Sequence, residues 1–260
     1  MRIVWIGMVS LLLADVVHGQ MCATREWQVH QSRSAKIDTT RIAGIAGNFN
    51  FWPTGQVITV GFLNGTTEQK VTVLSIAKEW EKHGNILFEA EDYEKAMVRI
   101  MFAFGPANFT YIGNDILKVD SGDFTMQLDQ SIFGKNRSQL RKVVLHQFGH
   151  VLGMVHEFNP PGQGALWDKA EVSKDFRKAG WSANDIQLNL FGLYTHRITN
   201  GWFFDRASIM HLSIALRHLN GGTPAFYNDN ISEGDIAWIA SRYPFVNSAV
   251  NRPPPFVQSL

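Results

Sequence analysis

The stretch LHQFGHVLGMVHEF, residues 145–158, constrains this chain more than any other. On an α-helix His146 and His150 stand four apart and project from one face, where two imidazoles reach a single ion. Gly153 follows three residues later, at a place where a residue free to take positive φ turns the chain sharply. Such a turn brings His156 round as a third nitrogen and leaves a fourth tetrahedral position for water, the open arrangement of a catalytic zinc site. The chain must therefore fold around a helix, a tight turn and one Zn2+ ion with His146, His150 and His156 as its ligands.

With 260 residues, 45% of them hydrophobic and 18% charged, the chain has material for one sizeable domain, expected to have two lobes. A formal charge of +1 and the lack of a Lys/Arg run disfavour nucleic acid as a partner. At the N-terminus, Met1 and Arg2 precede an apolar run too short for a membrane span, and residues 17–19 offer small residues for cleavage. This reads as a secretory signal peptide over residues 1–19, with an anchoring or packing segment as the alternative. Sequons at Asn64, Asn108, Asn136 and Asn230 are candidate glycan acceptors of an extracellular protein. Cys22 is the only cysteine, so no intramolecular disulfide forms; it is left to pair between chains or to shield a metal.

Residues 20–47 are polar and aperiodic, as in a pro-segment or an arm, and the compact domain is expected over 48–245, followed by a Pro-rich tail at 246–260. Residues 56–62 alternate as a strand, and Thr66 and Thr67 open a helix on which Val73, Ala77 and Trp80 recur at helical spacing. Residues 85–89, 97–104 and 124–128 read as further strands, the second apolar enough to be central and buried on both faces. Asn136 with Gln139 starts the helix that carries the histidines. Asp168, Ser182 and Ser232 mark later helix starts, of which only the first has Glu or Gln three positions on.

HQFGHVLGMVH resembles the metzincin zinc-peptidase motif HExxHxxGxxH, and the following Glu157 makes it similar to the astacin-like branch. Residues 208–211, SIMH, resemble the Met-turn of that family, with Met210 as the hydrophobic floor beneath the metal. Similarity extends through WPTGQVITVGFLNG, KEWEKHGNILFE, FTMQLD, WDKAEV and SEGDIAWIASRYP, covering residues 52–244. The resemblance implies an α+β fold: a mixed twisted sheet with helices in an N-terminal lobe, a helical and irregular C-terminal lobe, and a cleft between them. It also implies a secreted endopeptidase that acts on a peptide or protein. Phe124, Thr125, Met126 and Gln127 are the expected edge strand that pairs with substrate, and Glu157 is expected to be structural. His30, His83, His196 and His218 are expected to be solvated or structural, and His211 has no assigned role.

Two positions depart from the family pattern. Leu212 replaces a tyrosine of the astacin branch, and Gln147 replaces the glutamate that accepts a proton from the attacking water. Glutamine keeps the shape and can hydrogen-bond that water, but it does not take up a proton at ordinary pH. The glutamate is not a metal ligand, so binding of zinc and hydrolysis are expected to separate. Two readings follow: a slow metalloendopeptidase, or a zinc-binding pseudopeptidase that holds peptides without cleaving them.

Overall fold

The structure is a computed structural model that describes residues 22–25, 51–104, 108–156, 167–178, 181–191, 205–211, 216–220 and 228–245. The expected signal peptide, Glu157, Leu212, the Pro-rich tail and the arm other than residues 22–25 lie outside them. Among the described residues no helix is long and apolar enough to cross a membrane.

The fold is α+β, as expected. Among the described residues six strands, β1 (Cys22–Arg25), β2 (Val57–Phe62), β3 (Leu87–Ala90), β4 (Val98–Ala103), β5 (Asn108–Tyr111) and β6 (Met126–Asp129), form one sheet in the order β1-β5-β6-β4-β2-β3. All neighbours run parallel except β5 and β6, so the sheet is mixed. β4 lies between β2 and β6 with Val98 and Ile100 fully buried, the central position its apolar run demands. Its one charged residue, Arg99, is 6% exposed and donates to the carbonyls of Ala96, Val119, Asp120 and Asp123. Those bonds meet the guanidinium's need for acceptors and tie down the loop that leads into β6.

The edge-strand expectation is corrected here. Met126 and Gln127 belong to β6, which pairs with β4 on one side and β5 on the other, so the strand has no open edge. Phe124 and Thr125 precede it, and Thr125 is itself bonded to Arg99 of β4. Beyond β6 comes β5, which residue pattern alone did not reveal, and β5 is in turn covered by β1. The arm thus supplies a strand in parallel register, Cys22 opposite Asn108 through Arg25 opposite Tyr111.

Among the described residues five α-helices accompany the sheet. α1 (Thr67–Ala77) begins at a reciprocal capping box between Thr66 and Gln69 and runs on into a 3-10 turn, Lys78–Lys82. α2 (Arg137–Val151) is capped by the Asn136 side chain accepting from Gln139 N–H, and from Val143 to Val151 every residue is buried. A helix buried all round needs partners on every side, and its carbonyls as well as its side chains find them. The indole of Trp80, fully buried, donates to Leu145 O, that of Trp52 to Val151 O, and the Tyr243 hydroxyl to Leu152 O. The last two satisfy carbonyls that the end of a helix leaves without intrahelical donors.

α3 (Lys169–Lys178) starts where Asp168 accepts from Ala170 and Glu171 N–H, and α4 (Ala183–Ile186) passes into a π-turn, Gln187–Phe191. α5 (Glu233–Arg242) carries a full reciprocal box in which Asp235 plays the part usually given to Glu or Gln. The sequence rule, framed around the longer side chains, missed that box.

Candidate metal centre

α2 carries His146 and His150 one turn apart, and Gly153 ends the helix with φ of 99°, the left-handed turn anticipated from its position. A side chain there would also collide with the Phe51 ring, 2.7 Å from an added β-carbon. Two residues beyond Met154 the chain returns His156 to the helix face, and the ligand atoms of all three histidines fall within 4.8 Å of one another. His150 Nε2 lies 3.1 Å from His146 Nε2 and 3.2 Å from His156 Nε2.

These separations have a chemical meaning. His146 Nδ1 donates to Ile209 O at 2.9 Å and His150 Nδ1 to Met154 O at 2.8 Å, which places the proton of each neutral ring on Nδ1. Their Nε2 lone pairs therefore face each other and repel unless a cation lies between them. A tetrahedral ion about 2.0–2.1 Å from each nitrogen requires nitrogens roughly 3.3–3.4 Å apart, close to what the triad presents. Burial holds His146 well below its usual pKa, aided by the neighbouring His150, and lowers His150 to about 4. Neutral imidazoles with converging lone pairs are a donor set that fits zinc.

The remaining expected residues sit around this triad. Gln147 follows His146 on α2 and is 1% exposed. Met210 is fully buried, and its sulfur lies against α2 at Gly149, where an added β-carbon would stand 2.4 Å from Sδ. Lys142, one turn before His146, is buried, and loss of solvation lowers its ammonium to about 8 against an opposing pull from Asp229. His218 is structural, as expected, donating to Asp175, which also accepts from Arg217. His83 is on the described surface, partly exposed, while His30 and His196 lie outside the described residues. His211 is buried, donates from Nε2 to Asp205 O and is lowered by burial to about 4.

The four sequons are not equivalent. Asn108 is 1% exposed on β5, with its carbonyl oxygen accepting from Asp129 N–H. Asn64 clamps Phe102 with both ends of its amide, and Asn230 bonds Arg141 and Asp229. Asn136 is exposed and uses only its oxygen, for the helix cap.

Sequence reasoning missed the acidic support of the site. Asp235 lies 79 to 89 residues from the ligands in sequence, and the Ser232 cap signal gave its place on a helix but not its contacts across the Met-turn.

No protein-family sequence model matches the chain. Among solved structures it is similar to myroilysin, with 32% identity and a TM-score of 0.70, over 75% of this chain and 96% of that one. A second myroilysin structure aligns with 27% identity and a TM-score of 0.65, over 91% of this chain and 97% of that one. A hatching-enzyme zinc-protease, high choriolytic enzyme 1 of the medaka fish Oryzias latipes, shares the fold at 17% identity and a TM-score of 0.51, over 75% and 94% of the two chains. The chain therefore belongs to the astacin family of zinc metalloproteases.

Proposed function

We propose that this protein is a secreted zinc metalloendopeptidase-like protein whose peptide-bond hydrolysis is strongly reduced by Gln147. The observation that carries the metal half of this reading is the convergence of three buried imidazole nitrogens, two of them with Nδ1 committed to backbone carbonyls. One zinc ion bound there supplies Lewis acidity and activates water at neutral pH. The chain's own residues hold the metal, exclude bulk water from the triad and place Gln147 beside it. Glutamine offers that water hydrogen bonds but no proton acceptor, and general acid–base catalysis contributes about 10²–10⁴-fold.

Gln147 equally favours the second reading, a pseudopeptidase that retains zinc and binds peptides or proteins. The matched pair of wild type and Gln147→Glu separates the two, assayed on an unstructured protein with zinc measured in both. The expected result is equal, near-stoichiometric zinc and at least about 10²-fold faster cleavage by the variant, abolished by a chelator. Wild-type cleavage within tenfold of the variant overturns the impaired-enzyme reading, and absence of zinc from both overturns the metal site. Peptide binding without cleavage by wild type selects the pseudopeptidase.

Residues 20–47 are read as a pro-segment, and the pairing of its Cys22–Arg25 strand, β1, with β5 supports that reading over a free arm. Residues 1–19 would be removed on export, leaving the domain at 48–245 and the tail. Mass spectrometry of the protein from culture medium tests both boundaries.

A further inference from the structure

From His146 a path of hydrogen bonds leads away from the triad to a buried carboxylate. His146 Nδ1 donates to Ile209 O, and the same peptide group, through Met210 N–H, donates to Ser208 Oγ at 3.0 Å. Ser208 Oγ then donates to Asp235 Oδ1 at 2.7 Å. The second carboxylate oxygen accepts from Ile209 N–H at 2.8 Å and Ser232 N–H at 2.9 Å. The path is closed to solvent along its length, His146 being 4% exposed and Ser208 and Asp235 2% each.

We propose that Asp235 is the positioning carboxylate of the metal centre, acting on His146 through Ser208 and the 209–210 peptide group. Imidazoles that ligate a metal commonly donate their other N–H to a carboxylate, which fixes the ring and raises its basicity. Here the donation goes to a peptide carbonyl instead, and that peptide is polarised from its N–H side by a hydroxyl held on a carboxylate. Hydrogen bonds in series strengthen one another, so negative charge on Asp235 makes Ile209 O a better acceptor and His146 Nε2 a better donor to metal. A direct carboxylate partner is not needed.

The surroundings fit a device for orientation. Asp205, at the start of the same loop, accepts from Ala207 N–H and from Ser232 Oγ, and Gly234 allows its carboxylate to approach the helix, where an added β-carbon would meet Oδ2 at 2.4 Å. The loop therefore reaches His146 as a fixed unit attached to the first turn of α5.

The inference rests on the zinc reading of the triad, and its test separates the two. Zinc affinity is measured by competition with a chromophoric chelator for wild type, Asp235→Asn, Ser208→Ala and the remote helix-cap variant Thr66→Ala. Visible absorption of the Co2+-substituted proteins is recorded in parallel. Loss of an outer-shell partner typically weakens metal binding about 10–100-fold. Asp235→Asn and Ser208→Ala are expected to lose affinity in that range with altered Co2+ bands, while Thr66→Ala loses thermal stability alone. If wild type itself binds no zinc, the reading of the triad fails. If wild type binds and both loop variants match its affinity and spectrum, the relay fails. Equal loss of affinity in Thr66→Ala also overturns it, because general destabilisation would then explain the effect. Should Asp235→Asn fail to fold, Ser208→Ala decides alone.

Discussion

Met210 packs directly against Gly149: the methionine sulfur occupies the space that a β-carbon on α2 would take. Gly149 lies between the two helical histidines, so the contact sets the height of the Met-turn against the metal helix. Alanine is a better helix former than glycine by about 1 kcal/mol, yet Gly149→Ala is expected to lose about 1–3 kcal/mol through overpacking. Adding Met210→Ala should recover part of that loss. Denaturant titrations of the two single variants and the double variant give the coupling, and strict additivity would show that the contact carries no energy.

Tyr243 joins the end of α5 to the end of α2. Its hydroxyl, on a fully buried ring, is the side-chain donor to Leu152 O just before the Gly153 turn, and burial raises its pKa beyond the usual phenol range. Tyr243→Phe keeps the ring and leaves a buried carbonyl short of a donor, which costs about 1–3 kcal/mol. Thermal melts should show that loss. A variant as stable as wild type would mean that the carbonyl finds another partner.

His211 provides a pH dependence with a definite sign. Its pKa is lowered in the fold to about 4 by burial, against the hydrogen bond to Asp205 that opposes the shift. Between about 4 and the unfolded value of roughly 6.5 the unfolded chain binds more protons, so stability falls as pH decreases through that window and is unaffected by this group above it. The full contribution is on the order of 3 kcal/mol. His211→Gln should flatten the dependence of melting temperature on pH between 6.5 and 4, compared at equal zinc loading. An unchanged slope would mean that the ring is accommodated in its charged form.

Asn136 and Asn108 should behave oppositely as glycan acceptors. On export from a eukaryotic host, occupancy is expected at Asn136, whose cap uses only the oxygen, and a folded secreted product should lack a glycan at the buried Asn108. Glycopeptide mapping checks both sites, and a glycan on Asn108 of folded protein would contradict the packing of β5.

The metal helix was legible because its constraints are local: two histidines four apart, a glycine at the turn and a third histidine are set by helix geometry. The strands of β2 and β4 were legible from alternation and continuous burial. β5 was not, since NFTY has no alternation to show and its burial follows from neighbours supplied by β1 and β6. The edge assigned to residues 124–127 failed for the same reason. Which strand is outermost depends on pairing between distant segments, and no property of FTMQ itself encodes it. The Asp235 relay was hidden because it consists of backbone and side-chain contacts across a long interval, with only a helix cap visible locally.

Trp52 and Tyr243 stand near the two ends of the described domain, and both donate to the last carbonyls of α2, Val151 O and Leu152 O. Two buried side chains, one near each end of the domain, are thus fastened to adjacent peptide groups beside the Gly153 turn. Trimming either terminus past these anchors is a lesion of the metal turn in its own right. A shortened chain that loses zinc need not have lost any ligand.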